Sequence, residues 1–233
     1  MKLAIMQPYF FPYIGYFQLI NAVDEFVIYD NIEFTKKGWI NRNRILVNHK
    51  DDYISLPIKK GSDFLHVNQR FLADIWEIER KKMLNRISES YRKAPYFKDI
   101  YIVLEECIMY EDRNIFKFIL HSVKTIMQFL NIDTKLVISS SISIDHQLRS
   151  DEKVMAICKE RGADIYINPI GGLELYDKAN FKKNNLKLQF QKSNNISYNQ
   201  FDNDFIPWLS IIDVMMFNSL NEIKSYLSKY ELI

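Results

Sequence analysis

Residues 2–30 read KLAIMQPYFFPYIGYFQLINAVDEFVIYD, and this stretch decides the fold. Lys2 to Met6 is a short apolar run that stops at Gln7-Pro8, as a buried strand stops at a turn. Ile14 to Ala22 then carries Phe17, Leu19 and Ile20 on an apolar side and reads as a helix. Glu25 to Tyr29 is a second strand, ending at Asp30. Strand, helix and strand in so short a span make a βαβ unit, which requires parallel strands and a right-handed crossover.

Working outward, Arg44–Val47 and Asp52–Pro57 read as a strand pair around a polar turn. From Phe71 to Tyr91 the pattern is helical, with Ile75, Ile78, Met83 and Ile87 on one side, until Pro95 breaks it. Ile100–Tyr110 and Ile115–Leu130 read as two further amphipathic helices. The α/β alternation then resumes. Lys135–Ser139 is a strand, Asp151–Arg161 a helix closed by Gly162, and Asp164–Asn168 a strand. Leu186–Phe190 alternates as an exposed or edge strand does, and Pro207–Phe217 and Leu220–Tyr230 read as closing helices. The expected fold class is α/β, a mostly parallel Rossmann-like sheet with an inserted helical block. Residues 1–70 and 131–233 make the main domain, and 71–130 a helical insertion of it.

Composition narrows the function. Nearly half of the 233 residues are hydrophobic, and glycine and proline number only six each, so a packed core is expected rather than disorder. A net charge of +2 argues against specific DNA binding. No stretch reaches the roughly 20 apolar residues that span a bilayer, and the apolar N-terminus, broken by Gln7, Pro8 and Pro12, lacks a cleavage site. The expected location is the cytoplasm. Cys107 and Cys158 have no paired spacing, which points to buried small hydrophobes and to no metal site.

In open α/β sheets, ligands bind at the carboxyl ends of strands. Two segments satisfy that rule. Gln7, Tyr9, Tyr13, Gly15 and Tyr16 follow the first strand, where phenols suit a sugar or base and the helix start suits a phosphate. Asp30 ends the second, placed to act as a general base or to cap a turn. The run TKKGWINRNRI follows it and offers Lys36, Lys37, Trp39, Asn41, Arg42, Asn43 and Arg44 to a diphosphate, or else is a solvated loop. Ser139, Ser140 and Ser141 end another strand and can donate to an anion or punctuate a turn. Asn168–Gly172 (NPIGG) lacks dinucleotide or Walker spacing. Ser210 and Asp213 have capping-box spacing, with Tyr198 and Gln200 just before them. His49, His66, His121 and His146 are isolated.

An ordered series of words resembles the WbqC-like family. They are QPYFFPYIGYFQLI, VIYD, KKGWINRNRI, YRKAPYF (91–97), the serine-rich strand end, GADIYIN (162–168) with Tyr176 and Phe181, YNQ, and PWLSIIDVMMFN (207–218). NPIGG stands where the resemblance leads us to expect a different glycine-serine loop. The resemblance implies a role in O-antigen and related surface glycans, with acyl or aminoacyl (glycyl) transfer to an amino sugar. The first 45 residues are also similar to HxGH nucleotidyltransferases, with Tyr13 and Tyr16 at the histidine positions. Tyrosine can donate to a phosphate but cannot supply the charge of imidazolium.

The expected function is therefore transfer of an acyl or aminoacyl group to the amine of a nucleotide-linked amino sugar. Asp30 would take the amine proton. Tyr9, Tyr13 and Tyr16 would contact sugar or base, and Lys37 and Arg42 the diphosphate. The alternatives are nucleotidyl transfer on a degenerate HxGH scaffold and a non-catalytic sugar-nucleotide-binding subunit. The expected partners are a nucleotide sugar and an acyl or aminoacyl donor. The sequence names no cofactor and leaves the donor, the sugar and the oligomeric state open, a homo-oligomer included.

Overall fold

The computed structural model describes residues 1–202 and 204–233. Its strands are β1 (Lys2–Met6), β2 (Glu25–Ile28), β3 (Arg42–Val47), β4 (Lys50–Ser55), β5 (Lys135–Ile138), β6 (Ile165–Pro169), β7 (Lys187–Ser193) and β8 (Tyr230–Leu232). Its helices are α1 (Ile14–Asn21), α2 (Trp76–Tyr91), α3 (Phe97–Ile108), α4 (Ile115–Leu130), α5 (Ser150–Glu160), α6 (Lys178–Lys183), α7 (Ile211–Phe217) and α8 (Leu220–Tyr226). Six strands form one sheet in the order β5-β2-β1-β6-β7-β8, parallel except where β8 joins β7 antiparallel. The expected adjacent, parallel pairing of β1 and β2 is present, with Leu3 opposite Glu25 and Met6 opposite Ile28.

Strand alternation divides the core in two. Ala4, Phe26, Ile28 and Ile167 face one side, against α1 and the block α2–α4 with α7. Leu3, Ile5, Val27, Tyr166 and Phe190 face the other, against Val154 and Ile157 of α5 and Phe181 of α6. Both faces of the central strands are therefore dry, which explains their unbroken hydrophobic runs. The helical block shares one continuous core with α1 and β2.

The structure corrects several local expectations. The buried stripe of α2 is Trp76, Met83, Leu84, Ile87 and Tyr91, while Ile75 and Ile78 point outward at 55% and 60% exposure. Period alone did not fix the phase, because the stretch 71–75 is not helical and the stripe starts at Trp76. β7 is not an edge, because β8 pairs with its outer side where a helix end was expected. The short α6 is an element for which the sequence pattern gives no helix. The β3–β4 hairpin turns at Asn48 and His49, whose φ values of 49° and 66° suit a tight two-residue turn. Cys107 and Cys158 are buried, and burial pushes both thiols up to about 12, so neither is a thiolate at neutral pH.

Two buried carboxylates tie the elements together. Glu25, 6% exposed, accepts from Arg161 through Nε and Nη2 at 2.8 Å each and from Lys135 Nζ at 2.7 Å. These pairs, the Arg161 fork above all, hold its carboxyl down at about 2 against their own desolvation cost. Asp213, fully buried, accepts from Tyr91 Oη at 2.9 Å and from Tyr198 Oη and Gln200 Nε2 at 2.7 Å each. Tyr91 Oη in turn accepts from the Leu46 amide at 2.8 Å. One carboxylate thus joins α7, the end of α2, strand β3 and the segment before Ser210.

Two stability predictions follow from these ties. The folded Glu25 carboxyl titrates near 2 against an ordinary 4.5. Its stabilisation, on the order of 3 kcal/mol, is complete above the ordinary value and lost as pH falls through about 2. Glu25→Gln should flatten the acid limb of a pH–stability curve measured by urea titration. Tyr91→Phe strips a donor from Asp213 and leaves the Leu46 amide unpaired in the core, so it should cost about 2 kcal/mol. Wild-type stability in a guanidinium melt would show that this link does not bear on the fold.

Candidate functional site

β1 lies between β2 and β6: the chain leaves β1 toward β2 on one side, and returns from β5 to β6 on the other. At such a switch point the connections diverge and leave a crevice at the carboxyl ends of the strands. A cavity of about 460 Å³ sits there, walled by Gln7, Tyr9, Tyr29, Asn168 and Tyr176 among others. Asn168 is fixed by Tyr166 Oη donating to its Oδ1 at 3.0 Å and by its own Nδ2 donating to the Pro169 carbonyl at 3.1 Å. A Cβ on Gly172 would strike that amide, so the NPIGG loop owes its second glycine to close packing.

The ends of β2 and β5 carry a polar network beside this crevice. Asp30 is 2% exposed. Its Oδ1 accepts from the Ser140 amide at 2.9 Å, and its Oδ2 from Ser140 Oγ at 2.7 Å and Asn68 Nδ2 at 2.8 Å. Ser140 itself is an exposed residue, so the buried carboxylate is tied to a residue at the surface. Ser139 Oγ donates to Asn31 Oδ1 at 2.9 Å, and Asn31 Nδ2 donates to His146 Nδ1 at the same distance. His146 Nε2 then donates to the Ile142 carbonyl at 3.1 Å, so this histidine is not isolated. Ser141 Oγ closes the turn on the Ile138 carbonyl at 2.7 Å.

Sequence reasoning missed Lys153. It is 5% exposed, its Nζ donates to the His146 carbonyl at 3.2 Å, and it lies 4.9 Å from the centre of the Tyr29 ring. Desolvation lowers its pKa, against the opposing pull of Asp30 and Asp145. The available signal was its place on α5, one turn before Ile157 on the buried face.

The phenolic loop divides its residues. Tyr16 is buried and donates to the Gln7 carbonyl at 3.0 Å. Gly15 lies under the Tyr13 ring, which a Cβ would overlap. Tyr9 lines the crevice and also a small cleft of about 180 Å³, shared with Tyr13, Trp39, Asn43, Arg44 and Trp208. Tyr13, Tyr16 and Asp30 therefore do not face one another: Tyr13 turns to Trp208, Tyr16 to Gln7 and Asp30 to Ser140 and Asn68.

The basic run is largely paired. Lys36 meets Asp63 at 2.7 Å on the surface, and Arg44 meets Asp51 at 2.9 Å. Arg42 donates to the Lys37 carbonyl and stacks 4.6 Å over the Tyr53 ring. Lys37 is exposed, with no carboxylate partner among the described residues. Asn41 and Asn43 donate to the Leu56 and Phe10 carbonyls at 3.1 Å each, and so shape the loop. At the C-terminal end, Tyr198 and Gln200 belong to the Asp213 hub. Ser210 caps α7 through the Ile212 amide at 3.2 Å and donates to the Phe11 carbonyl at 2.7 Å. The expected capping box is not formed, because the Asp213 side chain turns into the core instead of back to Ser210.

Among the described residues no group of three His, Cys, Asp or Glu side chains could hold a metal ion, and no helix is long and apolar enough to cross a membrane. No solved structure matches the chain. The uncharacterized protein Rv1507c of Mycobacterium tuberculosis (strain ATCC 25618 / H37Rv) is 28% identical over 230 residues, 97% of each chain. The family model described as the WbqC-like protein family matches residues 7–225, from the phenolic loop to α8. The chain belongs to the WbqC-like protein family.

Proposed function

We propose that this protein transfers an acyl or aminoacyl group, glycyl included, to the amine of a nucleotide-linked amino sugar destined for a surface glycan. The observation that carries the reading is the hydroxyl of an exposed serine, Ser140 Oγ, 2.7 Å from the buried Asp30 carboxylate beside the strand-end crevice. A carboxylate so enclosed reaches a substrate proton through that hydroxyl. As the neutral amine attacks the acyl carbon, the new C–N bond forms and the bond to the donor's leaving group breaks. The amine proton passes to Ser140 Oγ while the serine proton moves to Asp30, and the leaving group then takes it up. Asn68 and the Ser140 amide hold Asp30 in place throughout.

Gln7, Tyr9 and Asn168 supply neutral donors and acceptors for the nucleotide in the crevice. Lys37 and Arg42, in the segment that sends Trp39, Asn43 and Arg44 into the small cleft shared with Tyr9, are assigned to the diphosphate, for which the guanidinium would exchange its loop carbonyl for a phosphate oxygen. The buried Lys153 lies within the field of Asp30, which opposes the desolvation that lowers its pKa. Nucleotidyl transfer is less well supported, because the Tyr16 hydroxyl, at the second histidine position of the HxGH likeness, is committed to the Gln7 carbonyl.

Ser140→Ala removes the relay while the Ser140 amide still anchors Asp30. It should slow amide formation by about a hundredfold and shift the melting temperature little. Asp30→Asn should abolish turnover and also loosen the fold, since one of its donors would then meet an amide. Product is followed by mass spectrometry on a panel of nucleotide-linked amino sugars and activated acyl donors. Wild-type turnover by Ser140→Ala would end the relay. Magnesium-dependent pyrophosphate release from a nucleoside triphosphate would favour the transferase of nucleotides, and tight binding with no turnover the binding subunit. Arg42→Ala should weaken nucleotide-sugar binding by about tenfold, and unchanged affinity by calorimetry would return the cluster to a surface loop.

A further inference from the structure

Behind the phenolic loop lies a second cavity of about 410 Å³, walled by Tyr13, Tyr198, Phe205, Pro207 and Trp208. Its rim is the segment 193–197, which reads SNNIS. The side chains of Asn194, Asn195 and Ser197 make no hydrogen bond among the described residues, so their donors and acceptors stand open at the mouth. The cavities form a chain. Tyr9 is common to the crevice and the small cleft, and Tyr13 and Trp208 are common to that cleft and this cavity.

Trp208 is placed at a cost. Its φ of 61° lies in the left-handed region that bulky residues rarely enter, and its indole is 51% exposed. Neighbouring hydrogen bonds impose this conformation: Arg44 Nη2 donates to the Trp208 carbonyl at 3.3 Å, and the Ser210 amide to the Arg44 carbonyl at 2.8 Å. The strain gains no burial for the ring. What it achieves is to hold an indole edge-on to Tyr13, at 5.8 Å and 65° between planes, over the cavity mouth.

We infer that this cavity binds a pyranose ring, its C–H face against Trp208 and Tyr13 and its hydroxyl or acylamino groups toward Asn194, Asn195 and Ser197. A pyranose is amphipathic, with an apolar face and a polar rim, and the cavity has the complementary pattern. A nucleobase is flat and prefers a slot between parallel rings, whereas two rings at 65° make a corner that suits a puckered ring. The inference goes beyond the proposed transfer: the ring bound here is a further saccharide unit, not the acceptor sugar whose amine meets Ser140 beside the crevice.

The test uses the whole chain and a free saccharide without any acyl donor. The methyl glycoside of N-acetylglucosamine is titrated while tryptophan fluorescence and saturation-transfer NMR are followed, with adenosine titrated in parallel as a flat ring. Saturable glycoside binding is expected. Trp208→Gly should weaken it by about tenfold or more while the melting temperature holds or rises, because glycine takes a positive φ without strain. Asn195→Ala, on the opposite rim, should weaken the same binding and serves if the glycine variant fails to fold. The inference is overturned if the wild type shows no saturable glycoside binding, if neither variant changes it, or if adenosine alone binds and Trp208→Gly abolishes that. No transfer step enters this measurement. Absent amide formation therefore leaves a positive result standing, and absent saccharide binding leaves the transfer assay to be judged on its own.

Discussion

Everything polar in this molecule is arranged around one constraint: β1 is hydrogen-bonded along both edges and buried on both faces. It pairs with β2 on one side and β6 on the other, and Leu3 and Ala4 are fully buried on opposite faces of the sheet. No charged or hydrogen-bonding side chain can stand in its middle without an unmet desolvation cost. Chemistry is displaced to the first position where the chain escapes the sheet, which is Gln7. The same pressure acts on β2 and β5, so Asp30 and Ser140 also stand at strand ends. The crevice follows from the strand order, because β1 sends its chain toward β2 while β6 occupies its other edge. A fold that dries its centre on both sides concentrates its polar chemistry on one rim.

The three buried carboxylates show how such a protein keeps a charge out of water. Glu25 is answered by full countercharges, Arg161 and Lys135, and its proton affinity falls accordingly. Asp213 has only neutral donors, two phenols and an amide; its burial raises its proton affinity, and those donors oppose the rise. Asp30 is held by two side-chain donors and one backbone donor, with Lys153 buried nearby. Glu25 and Asp30 each have an exposed partner, Lys135 and Ser140, but only that of Asp30 is a neutral hydroxyl. From sequence all three are acidic residues next to apolar runs, and the kind of partner each one meets is set by the fold.

The architecture was largely legible because period and punctuation express backbone physics directly. Gln7-Pro8 had to end β1, and Asp30 had to follow β2. Side-chain destinations were less legible because they depend on partners distant in sequence. Tyr198, Gln200 and Asp213 looked like ligand contacts or a capping box, and only the approach of Tyr91 from α2 makes them a buried hub. Lys153 passed unnoticed because a lysine on a helix is normally solvated, and its burial follows from α5 lying against Tyr29. The cationic run looked open, and Asp51, Tyr53 and Asp63 close much of it from β4 and the loop beyond. Local rules gave the strand ends, while the pairing of those ends with one another required the fold.

The phenolic loop joins core and site in one segment by alternating its direction. Phe10 and Phe11 point inward and are fully buried, with Phe11 held at a φ of 41°, while Tyr9 and Tyr13 on either side point into the clefts. The Phe10 carbonyl accepts from Asn43, and the Phe11 and Pro12 carbonyls accept from Ser210 Oγ and the Ile211 amide, so the turn is pinned from β3 and from α7. Those pins join two segments far apart in sequence: the N-terminal loop is held by the PWLSIID segment that closes over it. A loop fixed by two buried rings and three backbone acceptors loses little conformational freedom when a ligand arrives, so its phenols can present a formed surface. The Asp213 hub belongs to this arrangement. By anchoring α7 to α2 and β3 it fixes the N-terminus of α7, and through Ser210 it fixes the direction in which Tyr13 and Trp208 face.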